Sequence, residues 1–289
     1  MANVGAVGRR QGQKEDWIQL GRIEMDPRDR WITPEEQLNR LRNDYEVLSR
    51  PEAELKEEFV IPQKLTNWYR ALDPDHLDAL PPFAPPLPED ILQILDRTCP
   101  IYGGDKKIGD THSLYLVPPG TLNQLDERVQ HLGKKLFGSK NPLKLKDVWG
   151  ECGKVLEQHG DTPYNDPHWI LMTNQELPGS RTRFYGTQVE MVRDLRGRAN
   201  IDYEVPRLRD AVNFIFLNKI ATGKSLYQGR SKENNYQDTF IRVQDTARWS
   251  WSGDWRLAVG DFTSRGLRID LHGDWFATYV GVAALCKFQ

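Results

Sequence analysis

Residues 205 to 221 set the tightest limit on what this chain can fold into. Within them, Ala211, Val212, Phe214, Ile215, Phe216 and Leu217 stand almost contiguously, so a helix through the segment is apolar nearly all round. Such a helix cannot rest on a surface with one side in water. It has to be enclosed, and it is expected to be the central buried helix of the fold. Gly223 is read as its C-cap. The run Ala221-Thr222-Gly223-Lys224-Ser225 has the look of a phosphate-loop ending, but it follows a helix where a phosphate loop must follow a strand, and Asn218 stands where the first glycine belongs.

Enough strands and helices flank this segment to enclose it. THSLYLV at 111 to 117 alternates like a strand, and HWILMT at 168 to 173 is a short apolar one. Helices are expected over 121 to 137, about 144 to 158, and 185 to 197. From residue 239 the period changes to two, and TFIRV, WRLAVGDF, GLRIDLH and WFATYVGVAALCKF read as four strands. TSR with Gly266, and His272-Gly273-Asp274, are suited to tight hairpins between them. Leu267, Ile269 and Leu271 alternate with Arg268, Asp270 and His272, which predicts one buried and one wet face. The expected class is α+β: a mixed sheet with a C-terminal antiparallel β-meander, packed helices and an N-terminal helical extension.

Prolines mark the seam. Pro74, Pro81, Pro82, Pro85, Pro86 and Pro88 forbid helix interior and favour a stiff connection, so residues 73–88 are read as a linker and 89–289 as the α+β domain. Residues 1–30 read as a loosely ordered or disordered tail. Residues 31–72 form a helical extension, opened by Thr33, Pro34 and Glu36 as a capping box and carrying Leu38, Leu41, Tyr45 and Leu48 on one side.

Composition removes several function classes. A net charge of −2 argues against a protein held to nucleic acid by phosphate neutralisation, although Lys134, Lys135, Lys140, Lys144 and Lys146 form a local basic stretch. Cys99, Cys152 and Cys286 are too few and too scattered for a disulfide framework or a zinc ribbon. No stretch approaches the ~20 apolar residues of a membrane helix. The first 14 residues lack a signal-peptide apolar core, so a cytoplasmic location is expected. No cofactor is implied: G-x-G-x-x-G, H-E-x-x-H, G-x-S-x-G and C-x-x-C are all missing.

Two places could carry chemistry. The segment ECGKVLEQHGDTPYNDPHW, 151 to 169, gathers His159, Asp161 and His168 as candidate catalytic groups, with Asp166 joining His159 and His168 as a candidate metal set. Its spacing matches no named metal motif, and capping Asp and Gly residues in a helix-to-strand loop explain most of it. The second place is the C-terminal hairpin, where Asp270 and His272, with Trp251 and Trp255 nearby, could bind a ligand or stack on a ring. Polar side chains turned to water and tryptophans packed in the core or as a lid are the plainer explanations there.

The run PPLPEDILQIL, Cys99-Pro100-Ile101, Lys106-Lys107, Thr111-His112 and LYLVP, followed by HWILMT, LPGSR, YEVP, TGKSLY and the ending GVAALCKF, resembles uncharacterised proteins of amoeba-associated, chlamydia-like bacteria over residues 85 to 289. The resemblance implies no activity, cofactor or site residue. It implies an intracellular bacterial setting, and with it an adaptor or host-directed effector that engages a protein partner and is compatible with export by a non-Sec route. A non-catalytic interaction protein is therefore the expected function. The alternative is a hydrolase or transferase, with or without a metal, whose site lies in the 151–169 loop.

Overall fold

The computed structural model describes residues 85–288 except 103, 138–140, 147–150, 165, 228–238, 250–252, 264 and 275–276. The expected tail, helical extension and most of the proline-rich linker lie outside the described residues, as does Trp251. In chain order the elements are α1 (Ile91–Asp96), α2 (Ile108–Thr111), β1 (His112–Val117), α3 (Leu122–Phe137), β2 (Leu145–Lys146), α4 (Glu151–His159), β3 (His168–Thr173), α5 (Tyr185–Ala199), β4 (Tyr203–Glu204) and α6 (Leu208–Thr222), then β5 (Phe240–Arg248), β6 (Asp254–Thr263), β7 (Gly266–His272), β8 (Val280–Val282) and β9 (Leu285–Phe288).

The fold is α+β with two sheets. One has four antiparallel strands in the order β1-β3-β9-β4, and the other is mixed, in the order β2-β7-β6-β5-β8. Helix α6 lies between them, packed on β1 and β3 of the first sheet and β5 and β6 of the second. Phe214, Ile215, Phe216 and Leu217 are fully buried there, as an all-round apolar helix requires. Gly223 ends it in the left-handed conformation, φ 71°, its N–H donating to the Lys219 carbonyl.

One core fills the space between the sheets around α6, built from residues such as Leu116, Ile170, Phe216, Val259 and Ile269. A second lies on the far side of the antiparallel sheet, where Ile94 of α1 and Val192 and Leu195 of α5 meet Leu171 and Cys286. That sheet is covered on both faces, which explains why every residue of β3 is buried. The last of the proline-rich residues join this body: Pro85 accepts a hydrogen bond from the Trp169 indole at 3.0 Å, and Leu87 packs on the central core.

Three expectations need correction. The helix expected from 144 starts later, at Glu151, because Leu145 and Lys146 pair with Leu267 and Arg268 as the parallel strand β2. Asp126 of α3 holds that strand in place by accepting from the Leu145 N–H at 2.7 Å. The meander has three strands, β5, β6 and β7, rather than four. The last expected strand divides: β8 runs parallel to β5, and β9 leaves for the other sheet, pairing with β3 and β4. Finally, the polar side of β7 is not wet. Asp270 is 5% and His272 6% exposed, with Phe240 and Tyr279 set edgewise against the imidazole at 5.9 and 5.3 Å.

Candidate functional site

Strand parity decides the fate of the C-terminal candidates. Trp255 lies opposite Ala247, on the same face of β6 as Leu257 and Val259, and packs against the core around α6. Asp270 lies opposite Ala258 and His272 opposite Arg256, so both belong to the other face of the sheet. Trp255 therefore cannot share a ligand with Asp270 and His272.

What does form beside Asp270 is a tight charge cluster. Arg268 reaches Asp270 at 2.9 Å and Glu151 at 3.6 Å, and the His272 Nε2 lies 3.3 Å from Asp270. Burial, followed by a hydrogen bond with Asp270 and that residue's charge, pushes the Glu151 carboxyl up to about 8 in spite of Arg268. Burial also works against the charged form of Asp270, but hydrogen bonds from His272 and Glu151 and the charges of His272 and Arg268 overcome it, so its carboxyl is held below the usual range. Two neighbouring acids thus share one proton.

Glu151 binds its proton more tightly folded than unfolded, where the ordinary value is 4.5. Its stabilising contribution is complete below that value and is lost as pH rises to about 8. Asp270 contributes in the opposite sense, its share being lost only as pH falls below the ordinary 3.8. The urea midpoint of the native chain should therefore fall relative to Glu151→Gln between about pH 5 and pH 8. Parallel pH profiles for the two proteins would show that Glu151 holds no extra proton.

The loop after α4 gathers a different set. A cavity of about 510 Å³ is walled by His159, Tyr164, Asp166, His168, Arg207, Arg209, Asp245 and Lys287, with Leu122, Thr162, Pro163, Pro167 and Leu208 between them. Of the candidates expected from sequence, His159, Asp166 and His168 come together here. Asp161 does not: it is exposed, accepts from Asn123 at 2.9 Å, and is absent from the wall. Glu151 and His159 occupy opposite ends of α4, about 12 Å apart at 1.5 Å per residue, so the charge cluster and the cavity are separate places.

The two histidines differ in what they can do. His168 points Nδ1 at the Asp166 carbonyl, 3.1 Å, and Nε2 at the buried Asp210 carboxylate, 3.0 Å. Both ring nitrogens are engaged, so this side chain pins the start of β3 to the first turn of α6. His159 directs Nε2 at the Thr246 carbonyl, 2.8 Å; a carbonyl only accepts, so Nε2 carries a proton and donates it there. Among the described residues no group of three or more His, Cys, Asp or Glu side chains is placed to hold a metal ion.

The sequence reading missed the cationic half of the wall. Arg207 and Arg209 flank the start of α6 and Lys287 comes from β9, so the cations reach the cavity from two stretches of chain far in sequence from the α4–β3 loop. A signal was present, since PRLRD places two arginines and an aspartate at the entry to a helix otherwise apolar all round. The Leu208 N–H at that helix start donates to Asp245 of β5 at 2.6 Å, so the wall is tied to the mixed sheet. No helix among the described residues is long and apolar enough to cross a membrane. Compared with protein-family models, with curated proteins and with solved structures, the chain matches none.

Proposed function

We propose that the described body is a small-molecule-binding domain whose ligand occupies the cavity at the start of α6. One observation carries the reading: polar and charged side chains from the α4–β3 loop, α6, β5 and β9 converge on a single concavity of about 510 Å³, within the roughly 300–1,000 Å³ of small-molecule sites. Docking of a protein on the described surface finds less support. Phe184 is the large apolar side chain left largely exposed among the described residues, and a lone exposed aromatic is ordinary. An adaptor or effector role for an intracellular bacterium therefore rests on the sequence pattern of residues 31–72, which lie outside the described residues, and on the sequence resemblance. A hydrolase or transferase reading draws on His159, an imidazole in the cavity wall whose Nε2 is held by the Thr246 carbonyl, which leaves Nδ1 as the nitrogen for general-base chemistry.

Thr162 is exposed at the cavity wall, so Thr162→Trp fills the opening without disturbing the core. Ligand-observed NMR of a small-molecule library against the full chain should give hits that this variant loses. Hits that persist in Thr162→Trp would place binding elsewhere. A hit that is chemically converted, with conversion lost in His159→Ala, would move the function to the enzyme reading.

A further inference from the structure

We infer that the ligand carries a carboxylate or phosphate group and that this oxyanion docks on Arg209; the inference rests on the cavity being a ligand site. Arg209 stands in the first turn of α6 and in the cavity wall, 4% exposed. Its Nη2 donates to the Pro118 carbonyl at 2.7 Å and its guanidinium lies 4.3 Å from the centre of the Tyr164 ring, while Nε and Nη1 make no hydrogen bond. Burial draws its pKa down to about 10, which still leaves it charged at neutral pH. A buried guanidinium whose covered N–H groups lack acceptors favours an anion on its side of the cavity, and oxyanions that present two oxygens side by side, carboxylate or phosphate, fit its fork best.

The neighbouring charges decide the sign of the ligand. Arg207 and Lys287 add to Arg209, against Asp166 and Asp245. Asp245 already receives the Leu208 N–H at 2.6 Å, and Asp210 faces His168 at 3.0 Å. Asp166 is exposed. Asp210 beside it supplies an opposing charge, but no acceptor meets the Nε and Nη1 of Arg209, which stands at the N-terminal end of a 15-residue helix whose dipole favours an anion at the same place. The competing carboxylate Asp245 weakens that dipole effect, so the guanidinium is the dominant attraction.

The test uses the full chain at constant ionic strength, with inorganic phosphate and acetate as probes and glycerol as the neutral control, read from amide shifts of Tyr164 and His168. Phosphate or acetate should perturb them where glycerol does not. Arg209→Met should weaken the response about ten-fold or more, the usual weight of a charge-assisted hydrogen bond. Arg207→Gln and Lys287→Gln should weaken it by roughly two- to three-fold, as flanking charges do. If Arg209→Met does not fold, Arg209→Lys keeps the charge, removes the planar fork, and should still lose most of the response. Equal responses to the anions and to glycerol, or undiminished binding in both Arg209 variants, overturn the inference. When neutral library hits blocked by Thr162→Trp accompany that result, the oxyanion inference alone falls; when no probe and no library compound binds, the cavity reading falls with it.

Discussion

Replacing Gly260 with alanine is expected to leave little native protein. The added Cβ would lie 2.0 Å from the Thr239 carbonyl oxygen and 2.7 Å from the Phe240 Cα, and both are backbone atoms of the adjoining chain. A flexible side chain could swing away from such a contact. A strand hydrogen-bonded on both sides cannot. Gly260 pairs with Phe240, and the β6–β7 register shifts immediately beyond it, where Asp261 takes a positive φ of 45° and donates its N–H to Thr239 at 3.2 Å. The close approach and the bulge belong to one arrangement. Relief would require β5 and β6 to separate in the middle of the mixed sheet, at a cost above the roughly 1–3 kcal/mol of ordinary overpacking. Far-UV circular dichroism and a urea melt check this. An alanine variant within ~1 kcal/mol of the parent would mean that the two strands do not approach so closely.

The second large effect belongs to the helix between the sheets. Phe216 is fully buried and meets Phe262 of β6 edge to face, with ring centres 5.7 Å apart at 87°. Phe216→Ala removes that contact and leaves a void that neither sheet can collapse into, since β1 and β3 are backed by the second core. A loss of about 3–5 kcal/mol is expected. For a body of this size that corresponds to roughly 6–20 °C in Tm at about 2–4 °C per kcal/mol. Phe216→Leu should cost much less, because it retains most of the volume. Equal melting temperatures for the parent and the alanine variant would place Phe216 outside the core.

Much of this architecture was legible because periodicity and burial carry the same information. The all-round apolar helix had to be enclosed, and it is. THSLYLV and HWILMT became β1 and β3 almost to the residue. Where the reading failed, the local pattern was silent. GVAALCKF is apolar on both faces, so it has no parity to say which sheet it joins, and the division into β8 and β9 is a tertiary choice. The alternation in GLRIDLH was real, but a polar side can be roofed as well as wetted, and only the strands' packing partners decide which. For the site, the 151–169 loop could be found by its density of polar groups. Asp245 and Lys287 could not, because they approach His159 and His168 only after the sheets close, and PRLRD marked Arg207 and Arg209 as unusual without saying what they would face.

The path of β9 has a consequence for how the molecule assembles. The Ala284 amide bonds the Thr173 hydroxyl across 111 residues of sequence, and β9 is the strand that joins β4 to β3. Until residues 285–288 arrive, β3, buried along its whole length in the finished fold, carries an open edge, and β4 has no strand neighbour among the described residues. Lys287 is also missing from the cavity wall until then. Closing contacts this distant in sequence is slow, so the antiparallel sheet and the cavity wall should be completed in one late step, during which β3 is the part of the chain most exposed to pairing with another molecule.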